Sequence, residues 1–195
     1  MAYIELLAPE EAGDAADLLE ADIELRGYLP NYARAFAHRP GVYRAWRALS
    51  AAVSGNMDAR RYELATLAAA RRLRSSYCTL AHGKVLADRF MSDGEVAALA
   101  RSRPTDALDD VDRAVMELAD KVAADATTVR QADVDRLREL GLSDTEIADV
   151  VLAAALRCFF SKTLDGLGVE PDSAYNSLPP VLRDALTVGR PIASE

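Results

Sequence analysis

The sequence is poor in the side chains that most protein chemistry relies on. Its 195 residues hold two cysteines, Cys78 and Cys158, and two histidines, His38 and His82. Closed structural zinc sites use four Cys or His ligands in tightly spaced groups, so none is expected. Two cysteines do not make a disulfide scaffold either. Positive charge is also in short supply. There are 23 Lys and Arg against 31 Asp and Glu, a net charge of −8, which argues against a nucleic-acid or membrane-surface partner, since both need clustered cations. No long hydrophobic run is present. The most apolar stretch, residues 150–160, is broken by Arg157 and is too short to cross a bilayer. The opening Met1, Ala2, Tyr3, Ile4 and Glu5 lack the basic n-region and apolar core of a secretory signal. A cytoplasmic chain with reduced thiols is therefore expected.

Half of the residues are hydrophobic and 28% are charged, with a mean hydropathy of −0.05. This is the balance of a globular chain long enough to bury a core. Alanine and leucine are abundant, β-branched runs are scarce, and no strand pattern competes, so an all-α fold is expected. Pro9, Glu10 and Glu11 read as the start of a helix to Arg26. A short segment follows over 32–37, then a helix opened by Pro40 and Gly41 that runs through Trp46, Leu49 and Val53 and ends at Gly55. Asp58 can cap a helix whose apolar stripe is Leu64, Leu67, Ala68 and Leu73. Ser75 and Ser76 break that helix and open another, and a short helix runs over 94–100. After a linker at Arg103, Pro104 and Thr105, helices are expected over 108–123 and 131–140. Ser143 and Glu146 form a capping box that opens a long helix to about Leu167, interrupted near Gly166. A last helix is expected over 181–186. The chain reads as one domain, 1–195, with N-terminal helices over 9–55, a motif unit over 58–101, a second unit over 108–167 and a tail over 168–195. Residues 63–70 resemble residues 146–153, either as a duplicated helical unit or as two alanine-rich helices of similar composition.

The stretch from Ser75 to His82 carries the most chemistry. Cys78 and His82 are four apart and share one face of a helix. An imidazole beside a thiol can take its proton, and the first turn of a helix favours the reactive thiolate. The alternative is a small buried thiol with no reactivity. Glu63 stands among small and apolar residues. It either pairs with Arg60 on the solvent face or turns inward as a proton relay to the imidazole. Glu63, Cys78 and His82 could also supply three ligands to an open metal site, although no metal and no cofactor is expected.

These residues resemble the alkylhydroperoxidase D-like (AhpD-like) branch of the carboxymuconolactone decarboxylase superfamily, in particular its peroxidase-related members. The branch carries a helical Glu followed by Cys-x-x-Cys-x-x-x-His. Glu63, Cys78 and His82 match the Glu, the second Cys and the His. Residues 30–34, Pro40 and residues 159–171 extend the resemblance over roughly Leu19 to Pro191. It implies an AhpD-like multihelical fold with a duplicated unit, assembled as a homo-oligomer (dimer, trimer or hexamer). It further implies a thiol-dependent, peroxiredoxin-type peroxidase. In that activity Cys78 is the nucleophile, His82 its base and Glu63 the relay acid, with Ser75 and Tyr77 in support. The substrate would be a small hydroperoxide and the reductant an external thiol. One position departs from the pattern: the first cysteine of the pair is Ser75. A sulfenic acid at Cys78 then has no neighbour to resolve it, leaving an external thiol, or Cys158 if the fold brings the two together. Cys158 itself reads as a core thiol. Two other functions follow from the same loss. One is a lactone decarboxylase or isomerase using Glu63 and His82 as acid and base. The other is a non-enzymatic, redox-sensing helical oligomer.

Overall fold

The computed structural model describes residues 2–103 and 105–194. Met1, Glu195 and Pro104, the centre of the expected linker, lie outside the described residues. Ten α-helices and no strands form among the described residues: α1 (Ala16–Arg26), α2 (Asn31–Phe36), α3 (Pro40–Ser54), α4 (Ala59–Arg72), α5 (Ser76–Arg89), α6 (Asp93–Ala100), α7 (Asp110–Asp125), α8 (Gln131–Glu139), α9 (Asp144–Gly166) and α10 (Pro180–Leu186). None is long and apolar enough to cross a membrane.

Local chemistry accounts for most of the boundaries. Asp58 accepts from Arg61 N at the start of α4, and Ser92 and Ser143 close capping boxes with Glu95 and Glu146 at α6 and α9. Gly27, in the left-handed conformation, ends α1. Three expectations are corrected. The segment from Pro9 does not enter α1 as one helix: it forms two short 3-10 turns, Pro9–Glu11 and Gly13–Ala15, the second opening on Gly13 at φ +50°. α9 runs without interruption to Gly166. At α5, Ser75 occupies the cap position with extended backbone, but its side chain makes no capping hydrogen bond.

α4 lies at the centre and packs on α5, α7 and α9. Tyr62 and every residue from Leu64 to Ala70 are buried, most of them small, and this surface lets three helices approach one another. Residues 63–70 and 146–153, similar in sequence, lie on α4 and α9. Aromatic packing ties the N-terminal helices to α9: the Trp46 and Phe160 rings stack 4.3 Å apart, and Phe36 stacks on Phe160 at 5.4 Å. α10 folds back over α5 and α6. A Cβ at Gly83 would meet the Leu186 side chain at 2.5 Å, so the glycine makes room for that docking. Thr79 Oγ1 donates to the Leu186 carbonyl and fixes its depth.

Candidate active site

The N-terminal halves of α4 and α5 and the C-terminal half of α9 converge on a cavity of about 280 Å³. Its walls include Glu63, Cys78, His82 and Arg157, with tyrosines and Trp46 around them. A larger groove of about 620 Å³, formed by α4, α6, α7 and neighbouring loops, has no thiol or imidazole in its walls. Its charged groups are largely committed to one another, as in Lys121–Asp133, Arg136–Glu117 and Arg71–Asp120. The smaller cavity is therefore the candidate site.

Glu63 points inward. One of its carboxylate oxygens lies 2.6 Å from His82 Nδ1, and both side chains are mostly buried. Arg60, its alternative partner, is taken elsewhere: its guanidinium bonds the buried Asp112 at 2.7 Å and the carbonyls of Ala107 and Phe90. With the Glu63 carboxylate as acceptor, Nδ1 carries the ring proton and Nε2 is the remaining lone pair. Burial pushes the His82 pKa below its ordinary value of 6.5, and the Arg157 charge adds to this, against the pull of Glu63. The imidazole is thus held neutral, as a base should be. Tyr62 packs its ring edge against it at 6.0 Å.

Cys78 is 1% exposed. Its hydrogen-bond partners are not His82 or Ser75. Ser161 Oγ donates to Sγ at 3.1 Å, and Arg157 Nη1 donates at 3.5 Å. Both come from α9, one helical turn apart. Arg157 is 4% exposed, and no carboxylate of the described residues lies within 4 Å of it. Burial opposes its charge, yet the contacts with Cys78 and Tyr62 keep its pKa raised. A buried guanidinium without a carboxylate is costly unless another anion balances it, and the sulfur is the anion-forming group at hand.

Arg157 and Ser161, the hydrogen-bond partners of Cys78, were not among the candidate residues read from the sequence. For Arg157 the signal was present: it is the charge that interrupts the most apolar stretch of the chain. Ser161 gave none. Ser75 is fully buried and makes no bond to Cys78; its hydroxyl lies beside the Asp165 carboxyl instead. Tyr77 lines the cavity, and its phenol accepts from Tyr32 N at 3.3 Å. Cys158 is half-buried, free, and not part of the cavity wall. Burial pushes its thiol pKa up. Among the described residues no group of three or more His, Cys, Asp or Glu is arranged to hold a metal ion.

The carboxymuconolactone decarboxylase family profile matches residues 40–121, which include Glu63, Cys78 and His82 but not Arg157 or Ser161. No curated protein sequence matches the chain. Among solved structures, an uncharacterized peroxidase-related protein with an alkylhydroperoxidase AhpD core from Ralstonia eutropha JMP134 is similar. It has a TM-score of 0.81 and 22% identity, over 89% of this chain and 94% of that one. A peroxidase-related protein from Silicibacter sp. TM1040 has a TM-score of 0.79 and 19% identity over 90% and 94%. The debrominase Bmp8, seen as a cysteine-to-alanine variant with a tribromopyrrole, has 0.77 and 13% over 95% and 100%. Residues 40–121 are thus similar to the carboxymuconolactone decarboxylase family, within an all-helical fold that the chain shares with these AhpD-core structures.

Proposed function

We propose that the protein is a one-cysteine, thiol-dependent peroxidase that reduces a small hydroperoxide at Cys78. The observation that carries this reading is the pairing of the Cys78 sulfur with a carboxylate-free Arg157 in the same cavity as the Glu63–His82 pair. A peroxidatic thiol needs a balancing cation and a nearby base, and both groups line this cavity.

The thiol proton passes to His82 Nε2 through the bound peroxide, and Arg157 and Ser161 hold the thiolate. The sulfur attacks the terminal peroxide oxygen; an S–O bond forms as the O–O bond breaks. The departing alkoxide takes the proton from His82, and Glu63 stabilises the imidazolium in between. The products are the Cys78 sulfenic acid and an alcohol. Two equivalents of an external thiol then return the cysteine, releasing water and a disulfide. Cys158 is not needed, being outside the cavity wall.

Mass spectrometry after one equivalent of hydroperoxide tests this: Cys78 takes up one oxygen and Cys158 does not. Oxidation of Cys158 first would sink the proposal. In a lactone decarboxylase or isomerase, Cys78→Ser would keep activity; in the peroxidase it abolishes peroxide turnover. A pure redox sensor would form the sulfenate and fail to turn over with any thiol. The aromatic walls around the thiol also fit a halogenated ring, the ligand class of the debrominase, and bromide release from a bromopyrrole in the presence of thiol would favour that reading instead.

A further inference from the structure

The cavity holds more hydrogen-bond donors than its own acceptors satisfy. Arg157 Nε is buried without a partner, and so is the indole Nε1 of Trp46. Both residues line the cavity. Buried donors are paired in nearly all proteins, so an orphan beside a cavity marks a place for a ligand acceptor. A second guanidinium, Arg26, stands on the same wall at the end of α1. No carboxylate of the described residues lies within 4 Å of it. Its single side-chain partner is neutral: Nε donates to Tyr32 OH at 3.1 Å. Tyr32 stays a phenol, because burial pushes its pKa up to about 12, and its proton goes to the buried Asp22 at 2.9 Å.

One cation on the cavity wall is left without an ion-pair partner among the described residues. Glu63 is hydrogen-bonded to His82 and the Cys78 sulfur to Arg157; Arg26 is exposed, acts on the buried Asp172 only from beyond ion-pair distance, and keeps its two terminal nitrogens available to a ligand anion. Arg26 and Cys78 share the cavity wall with four aromatic side chains, Tyr32, Tyr77, Tyr175 and Trp46. A volume of about 280 Å³ is at the small end of ligand sites and suits a single ring with a short substituent.

We propose that the substrate is a monocyclic aromatic hydroperoxide bearing a carboxylate, with the carboxylate on Arg26, the ring between the tyrosines and Trp46, and the peroxide toward Cys78. Inorganic peroxide lacks both handles and binds without orientation. This rests on the peroxidase reading for the peroxide group only; the ring and carboxylate are assigned from Arg26, Trp46 and the tyrosines.

Trp46 is the chain's single tryptophan, so intrinsic fluorescence reports on the cavity directly. In the Cys78→Ala protein, which cannot react, para-isopropylbenzoate should change Trp46 fluorescence saturably, and neutral isopropylbenzene should bind about tenfold more weakly or worse, as expected for a charge-assisted pair. Arg26→Gln should abolish the preference, and Arg26→Lys should restore part of it. In the wild type, cumene hydroperoxide carrying a para-carboxylate should oxidise Cys78 faster than plain cumene hydroperoxide by a similar factor. Absence of saturable binding, or equal affinity for the carboxylate in wild type and Arg26→Gln, overturns the assignment. Arg26-dependent binding with a Cys78 inert to every hydroperoxide supports it and overturns the peroxidase reading. Rapid oxidation with no preference for the carboxylate does the reverse.

Discussion

Arg157 Nη1 stands 3.5 Å from the Cys78 sulfur, two buried groups from helices α9 and α5, and the guanidinium has no carboxylate of the described residues within 4 Å. This pairing converts a small buried thiol into a candidate nucleophile. A cysteine buried against apolar neighbours is inert, whereas one facing a desolvated cation gains reactivity as the anion.

Replacing Arg157 with Met should therefore slow alkylation of Cys78 by iodoacetamide about tenfold or more at neutral pH, the loss expected when a charge-assisted partner is removed. Stopped alkylation with peptide mapping of Cys78 against Cys158 reads this directly. The change also removes a buried charge that has no carboxylate, so the variant should be no less stable than the wild type against urea. Loss of reactivity accompanied by unfolding would mean that Arg157 is structural.

The position of His82 makes a pH prediction. Its folded pKa lies below the ordinary 6.5, chiefly through burial and then through the Arg157 charge. The unfolded chain consequently binds a proton at His82 at a higher pH than the native chain does. By linkage, stability rises with pH through this window and is fully present above about 6.5; it is lost as pH falls from there toward the folded value. Thermal melts between pH 5 and 8 should show the wild type falling on the acid side more steeply than His82→Gln. Parallel curves would sink this account. The same titration should cut Cys78 oxidation in acid, because a protonated imidazole is no base.

Local signals made the helices legible and left the site only half so. Caps at Asp58, Ser92 and Ser143 act through bonds spanning three residues, and the sequence displays both partners. The Glu63–His82 contact spans nineteen residues and two helices; only the family resemblance separated it from an Arg60–Glu63 pair. The bonds from Arg157 and Ser161 to Cys78 span 79 and 83 residues, and helix periodicity carries no information over such distances. Arg157 still betrayed itself as a charge in an apolar helix, which costs too much to be left without a purpose. Ser161 is polar enough for any surface and small enough for any core, so nothing marked it. Gly13 defeated the expected Pro9–Arg26 helix: at φ +50° it breaks the α-helical path, although its sequence neighbours favour helix.

Gly83 sits in the middle of α5 where alanine would ordinarily strengthen the helix by roughly 1 kcal/mol. Here a Cβ would meet the buried Leu186 side chain at 2.5–2.7 Å. Leu186 is fully enclosed and its carbonyl is tied to Thr79, so it has little room to give. Gly83→Ala should therefore destabilise the protein by about 1–3 kcal/mol, visible as a lower urea midpoint. In a Leu186→Ala background the same Gly83→Ala change should cost less or nothing, since the new methyl then enters vacated space. A gain in stability for the single variant would show that α10 docks more loosely than the contacts indicate.

The absent first cysteine can be put back. Ser75 is the cap residue of α5 and Cys78 its third helical residue, so both belong to one turn, where a cap side chain normally reaches back toward the third residue. The Ser75 hydroxyl makes no capping bond to lose, and serine and cysteine differ by one atom. Ser75→Cys should thus place a thiol within reach of a Cys78 sulfenic acid. Peroxide treatment should then give an internal disulfide with loss of water instead of a lasting sulfenate. Turnover should shift from monothiols toward dithiol reductants, which reduce such a pair by exchange. Non-reducing peptide mapping of the variant shows whether Cys78 is linked to the introduced thiol. A variant that keeps its sulfenate as long as the wild type would mean that the cap geometry holds the two side chains apart; serine here would then reflect a rebuilt site and not only a lost partner.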